Sequence, residues 1–152
     1  MTTHVFETSL WLPAPRARVF PFFAEARNLQ ILTPPWLNFQ ILTPGEITMR
    51  PGALIDYQLR IRGWPVRWRT EITVWEPPFR FEDQQRRGPY RQWIHTHTFT
   101  EENGGTRCDD RVVYAVPGGA LVNRLFVRRD VEKIFAFRAA ALQQQFGHGR
   151  PV

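Results

Sequence analysis

The sequence predicts an α+β fold: a curved antiparallel sheet of about seven strands around one long C-terminal helix, with two short helices after the first strand. Three observations predict it. Between Ala53 and Pro117 one strand-like alternation follows another. Past Pro117-Gly118-Gly119 the chain closes with a single amphipathic helix rich in Phe. Before both, a strand pattern gives way to apolar residues at helical spacing. A curved sheet must bury its one large helix in its concave face, and unless large side chains fill every gap a hollow remains.

The elements follow in order. His4 to Leu12 alternates and is rich in Val, Phe, Thr and Trp, so it reads as a strand ended by Pro13-Ala14-Pro15. From Arg16 to Leu32, Val19, Phe20, Phe23, Leu29 and Leu32 recur at helical spacing. Pro21 lacks an N–H donor, which favours two short helices over one, stopped by Thr33-Pro34-Pro35-Trp36. A strand is expected over Leu37 to Thr43, ended by the turn pair Pro44-Gly45.

In the next strand Ile55, Tyr57, Leu59 and Ile61 share one face, and Asp56, Gln58, Arg60 and Arg62 the other. After Gly63, Val66, Trp68, Thr70, Ile72 and Val74 form an inward row that Pro77-Pro78 stops. A strand from Phe79 to Gln85 keeps Phe79, Phe81 and Asp83 in phase, and Arg86-Arg87-Gly88-Pro89 is its turn. Strands Tyr90 to Thr100 and Thr106 to Val116 are joined by Glu101-Glu102-Asn103-Gly104-Gly105, a hairpin signal. The last helix carries Leu121, Leu125, Val127, Val131, Ile134, Phe135, Arg138, Leu142 and Phe146 on its pattern, with a bend expected near Arg128-Arg129-Asp130 and Gly147 past its end. No repeat or linker divides residues 1–152, so one domain is expected.

Charge and cysteine content narrow the function classes. Lys and Arg number 20 against 14 Asp and Glu, a formal charge of +6. All but Lys133 of these cations are Arg, scattered along the chain, with only Arg86-Arg87 and Arg128-Arg129 adjacent. Phosphate tracking along nucleic acid needs cations clustered on a face, so no nucleic-acid partner is expected. Cys108 is the only cysteine, which rules out an internal disulfide and suits a reducing compartment. No apolar run is long enough for a spanning helix and no signal pattern opens the chain, so a cytoplasmic protein is expected. The oligomeric state stays open.

The order of elements and several local runs resemble the START-like, helix-grip superfamily, also called SRPBCC, which includes polyketide cyclase/dehydrase-type and lipid-transfer proteins. Leu12-Pro13-Ala14-Pro15 to Val19-Phe20-Pro21-Phe22-Phe23, then Asn28-Leu29 and Leu32-Thr33-Pro34-Pro35-Trp36, look like the opening of its small bacterial ligand-binding members. Gly88-Pro89-Tyr90-Arg91-Gln92-Trp93-Ile94-His95-Thr96-His97-Thr98-Phe99, with Asp110-Arg111-Val112-Val113-Tyr114, looks like their central strand pair. Phe135-Ala136-Phe137-Arg138 matches their last helix. The resemblance implies a deep ligand cavity between sheet and C-terminal helix. Which function it serves does not follow, because this fold hosts carriers, sensors and cyclases.

The residues that carry chemistry lie in the inward rows. His95 and His97 fall between Trp93 and Phe99 on one side of a strand, about 7 Å apart by strand geometry. The opposite parity would put Ile94, Thr96 and Thr98 inside, but Trp93 and Phe99 outweigh one Ile by roughly 2 kcal/mol per extra buried side chain. Asp110 is in phase with Val112 and Tyr114, Asp83 with Phe81, and Arg138 with Ile134 and Leu142. A buried charge needs a partner, so Arg138 is expected to pair with Asp110 or Asp83 and the histidines to join them. Three roles stay open: an internal polar network, recognition of a ligand's polar group, or acid–base catalysis by His95 or His97.

The expected site is therefore a cavity for a hydrophobic or amphipathic small molecule, whether lipid, aromatic or polyketide-like. Its walls are Tyr57, Leu59, Trp68, Thr70, Phe81, Trp93, Tyr114, Ile134, Phe135 and Leu142, and its polar anchors His95, His97, Asp110 and Arg138. No cofactor and no metal is expected, because two histidines and a carboxylate lack a further adjacent ligand. The rivals are a cyclase, dehydratase or isomerase in the same pocket, and an interaction module with a filled core that uses the Arg-rich face or Trp11, Trp36, Trp64 and Trp75.

Overall fold

A computed structural model describes residues 1–149; the last three residues of the expected 1–152 unit lie outside the described residues. Seven strands form one sheet: β1 (His4–Leu12), β2 (Gln40–Ile41), β3 (Leu54–Ile61), β4 (Trp64–Glu76), β5 (Arg80–Arg87), β6 (Gln92–Glu102) and β7 (Gly105–Ala115). Their order is β1-β7-β6-β5-β4-β3-β2, antiparallel at every junction. Both tight hairpins follow from left-handed turn residues. Arg62 (φ 51°) and Gly63 (φ 83°) join β3 to β4, and Asn103 (φ 48°) and Gly104 (φ 77°) join β6 to β7, the positive-φ pair that matches strand twist.

Helix α1 (Arg16–Ala24) and helix α2 (Leu29–Leu32) fill the β1 to β2 connection. The break between them is not at Pro21, which sits inside α1. Pro21 and Ala17 are both exposed, so the Ala17 carbonyl that Pro21 leaves without a donor is on the solvent side of the helix. The chain turns instead at Glu25, whose backbone is extended and whose side chain accepts from the Arg27 N–H. At the far end α3 (Gly119–Val122) runs through a π-helical turn at Asn123–Val127 into α4 (Arg128–Phe146). The irregularity expected at Arg128-Arg129-Asp130 thus lies just upstream of it.

Three further expectations are corrected. Only Gln40–Ile41 of the strand expected over Leu37 to Thr43 forms, because Pro35 opens a 3-10 turn and Asn38 then takes a left-handed conformation. Phe79 belongs to the turn after Pro77-Pro78 and is exposed, with the Arg16 guanidinium over its ring. In β4 the register slips between Ile72 and Val74, which pair with Asp83 and Glu82. This bulge reverses the phase, so Trp75, not Val74, packs inward against Phe20 and Phe81.

The core is divided. Leu12, Phe20, Phe23, Phe81, Phe99, Leu142 and Phe146 form one buried cluster. Phe6, Val112, Tyr114, Val131 and Phe135 form a second under the start of α4, and Phe39, Leu59 and Trp68 a third beneath β3 and β4. What lies between the three determines the site.

Candidate functional site

A cavity of about 190 Å³ opens between the sheet and α4, walled by members of all three clusters, including Phe23, Phe81, Phe135, Phe39, Leu59 and Trp68. Most of its wall is aliphatic or aromatic. Its charged cluster is Asp83 on β5, His95 and His97 on β6 and Arg138 on α4, while Glu25, Asn28 and Thr33 border it from the segment before β2. Tyr57 Oη and Thr70 Oγ1, 3.2 Å apart, add a hydroxyl pair on the β3–β4 wall.

Strand parity brings these groups together. Asp83 stands opposite His95 and Asp110 opposite His97 in the ladders. The hydrogen bonds run diagonally instead: His95 Nε2 to Asp110 Oδ1 at 2.7 Å and His97 Nε2 to Asp83 Oδ2 at 2.6 Å. The directly opposite pairs are longer, at 3.8 Å (His95 Nδ1 to Asp83) and 3.5 Å (His97 Nδ1 to Asp110). The crossing arises because the imidazoles lean together and stack, centroids 3.7 Å apart and planes at 27°. They are far closer than the 7 Å expected from strand spacing alone. Phe81 stacks on the other face of His97 at 4.0 Å, and Phe135 meets His95 edge-on at 5.4 Å.

Arg138 supplies the permanent charge. Its Nη2 lies 3.3 Å from His97 Nδ1 and 3.7 Å from Asp110 Oδ1, and its guanidinium sits over Phe23 and Phe135. A guanidinium only donates, so His97 Nδ1 accepts and the proton of His97 is on Nε2, donated to Asp83. His97 is therefore neutral. Burial, then His95 and Arg138, lower its pKa well below the usual 6.5. Burial also pushes the Asp110 carboxyl up, but Arg138 and the histidines outweigh that and hold it below the ordinary carboxylate range. Asp83 goes the other way: burial raises it against the pull of His95 and Arg138. Two carboxylates against one guanidinium leave room for a single additional proton in the cluster.

The shifted His97 sets a pH dependence. Its folded pKa lies below its unfolded one, so between them only the unfolded chain binds the proton and stability falls as pH drops from 7 toward 5. The contribution is at most about 1.4 kcal/mol per pH unit. Urea midpoints of the wild type and His97→Asn across this range should show the steeper loss in the wild type; equal slopes would contradict a neutral His97.

Asp83, His95 and His97 place one ligand atom each within 4.8 Å of the others, the spacing of a loose metal site. The Nε2 atoms of both histidines are already hydrogen-bonded to Asp110 and Asp83, and Arg138 adds a cation 3.3 Å from His97. A metal there would have to displace those hydrogen bonds and sit beside the guanidinium.

Of the expected wall and anchor residues, Tyr57, Leu59, Trp68, Thr70, Phe81, Trp93, His95, His97, Ile134, Phe135 and Arg138 line the cavity. Three do not. Asp110 stands behind the histidines, Tyr114 is fully buried and donates to Asn123 Oδ1 at 2.7 Å, and Leu142 packs among the Phe residues of the first cluster. Their inward phase was correct, but Tyr114 lies in the cluster under the start of α4 and Leu142, on α4 itself, packs into the first cluster, so neither faces the space. The cavity also takes Leu29, Leu32 and Leu37 from the segments before β2, Phe39, and Met49 from the loop before β3. Helical spacing marked Leu29 and Leu32 as buried; nothing in the sequence pointed the irregular stretch through Phe39 and Met49 at the sheet. Cys108 is buried and its thiol is pushed up to about 12, mainly by that burial, which makes it a poor nucleophile.

Comparison with known proteins places this architecture. The sequence profile of the family described as polyketide cyclase / dehydrase and lipid transport matches residues 12–138. The chain belongs to this family. A search of curated proteins finds no match. Among solved structures, this family member is similar to protein Ms6760 from Mycobacterium smegmatis (20% identity, 93% of this chain and 89% of that one, TM-score 0.69). It is also similar to the Zhui aromatase/cyclase from Streptomyces sp. R1128 (13% identity, 94% and 93% covered, TM-score 0.73). A third is Ara h 8.0201 (16% identity, 95% and 97% covered, TM-score 0.68). At these identities the likeness is one of fold: the open-sided seven-stranded sheet around a C-terminal helix is the helix-grip fold. No helix among the described residues is long and apolar enough to cross a membrane.

Proposed function

We propose that this polyketide cyclase/dehydrase-family protein binds a hydrophobic or amphipathic small molecule, lipid, aromatic or polyketide-like, in the cavity between sheet and α4. One observation carries the reading: an aromatic-walled space of about 190 Å³ with the cluster of Asp83, His95, His97 and Arg138 in its wall. An apolar cavity of about 150 Å³ admits benzene, so this one has room for a ring system whose polar end meets His95, His97 and Arg138. The interaction reading needed a filled interior and, as its surface, the Arg-rich sheet face or the four tryptophans. Trp75 is packed in the core and Trp11 is half-buried, its indole N–H donating to the Glu102 carbonyl, so that support is weaker. The ligand-binding reading goes with a cytoplasmic residence, where a lone buried thiol stays reduced. Native mass spectrometry of the protein as purified, followed by extraction, should release a small apolar molecule from it. A ligand-free mass together with no uptake of added apolar compounds would refute the proposal.

A second reading is favoured by His95. Its Nε2 is held by Asp110, and its Nδ1 hydrogen-bonds to nothing among the described residues on a wall of the cavity. A carboxylate-oriented imidazole with one free nitrogen is the arrangement a general base needs, and it would serve a cyclase, dehydratase or isomerase. The Streptomyces aromatase/cyclase shares the fold. With any compound found bound as substrate, His95→Ala and His97→Ala should abolish turnover by about 100-fold or more while binding persists. Absence of turnover in the wild type makes the protein a carrier.

A further inference from the structure

A second pocket of about 250 Å³ is bordered by the outward-facing Arg67, Arg69, Arg87 and Asp56 on β3 to β5 and by Leu42, Pro44 and Leu54, and it reaches Tyr57 and Trp68, which also line the interior cavity. The charge there is built by register. Arg69 faces Asp56 on one side of its strand and Arg87 on the other, and Arg67 follows two residues along the same face. The β4–β5 register slips between Arg69 and Thr70, which pair with Arg87 and Gln85. The residue skipped, Arg86, reaches Glu71 at 3.1 Å, and Arg87 is left beside Arg69. Like charges directly opposite in a ladder are destabilising, so this placement works against the sheet unless something neutralises it.

One acid cannot do so. Asp56 holds Arg69 with two hydrogen bonds, Nε to Oδ1 at 2.8 Å and Nη2 to Oδ2 at 3.1 Å. Arg67 and Arg87 have no hydrogen bond or ion pair among the described residues. Three guanidinium groups against one carboxylate leave a charge of +2 around the pocket. The facing rim is fixed, because the Leu42 and Thr43 N–H groups donate to the Asp56 carbonyl and Thr43 Oγ1 accepts the Asp56 N–H at 2.7 Å. The pocket is thus held open by backbone pairing and offers cations on one side and Leu42, Pro44 and Leu54 on the other.

We propose that this outer pocket binds the phosphate monoester group of a small, partly apolar molecule. A phosphate monoester carries close to two negative charges near neutral pH and accepts forked hydrogen bonds from arginine, matching both the charge and the donors present. A carboxylate would leave one positive charge unmatched. The proposal rests on the arginine cluster and not on the identity of the interior ligand, although Tyr57 and Trp68 border both spaces.

The test is a titration of the ¹⁵N-labelled protein at constant ionic strength with inorganic phosphate, phenyl phosphate and benzoate, read at the arginine Nε–H signals. Saturable shifts of Arg67, Arg69 and Arg87 are expected, with phenyl phosphate tighter than phosphate. Arg67→Gln and Arg87→Gln should each weaken phenyl phosphate at least fivefold, while Arg129→Gln, on α4, changes nothing. These exposed residues carry no packing, and unchanged thermal unfolding of the variants verifies it. Benzoate binding as tightly as phenyl phosphate overturns the phosphate assignment. So does an unsaturable response, or one equal in the Arg67→Gln/Arg87→Gln double variant. Vesicles containing phosphatidic acid form a separate arm: binding to them without any response to phenyl phosphate would place the phosphate on a lipid surface and overturn the proposal for a soluble ligand.

Discussion

Replacing Arg138 with methionine is expected to lower the unfolding free energy by about 3–5 kcal/mol, because it strands a buried Asp110 carboxylate without its cation. Methionine keeps the packing against Phe23 and Phe135, so the loss reports charge and not volume. The double variant Arg138→Met/Asp110→Asn should recover part of it, since removing both charges costs less than removing one. Urea unfolding of the wild type, both single variants and the double variant gives the coupling directly. Additive losses would mean that Arg138 and Asp110 do not depend on one another.

Filling the cavity is expected to abolish ligand uptake while leaving the fold intact. Leu59 is buried on β3 and faces the space beside Trp68, where an added indole has room to enter. Leu59→Trp should weaken binding of a bicyclic aromatic ketone such as 2-acetylnaphthalene by about tenfold or more, equivalent to about 1.4 kcal/mol. Overpacking costs about 1–3 kcal/mol, which a folded domain tolerates and a circular dichroism melt would register. Undiminished binding by a folded Leu59→Trp protein would locate the ligand elsewhere.

Much of this was legible from the chain. Period-two alternation placed β3, β4, β6 and β7 with their inward faces, since a one-residue slip would have exposed Trp93 and Phe99. The same parity put Asp83, His95, His97 and Asp110 on one surface. What parity could not give was the direction of each side chain. The diagonal hydrogen bonds and the stacked imidazoles depend on rotamers chosen by Phe81, Phe135 and Arg138 around them. Bulges were equally hidden. The slip after Ile72 moved Trp75 into the core, and the one at Arg86-Arg87 made the outer arginine cluster, because one extra residue in a strand leaves no mark on composition. Which inward residues the helix covers, and which it leaves facing space, is decided by three-dimensional packing: Tyr114 and Leu142 have the right phase and still contact only protein.

The account stands on the interior space being a ligand site, and a titration of the wild-type protein with 2-acetylnaphthalene, followed by the indole N–H signals of Trp68 and Trp93, tests it most directly. Both indoles line the cavity, so saturable shifts at one molecule per chain, with the signal of the exposed Trp64 unmoved, are the predicted result. Shifts that fail to saturate, or that appear at Trp64 and spare Trp68 and Trp93, would contradict it.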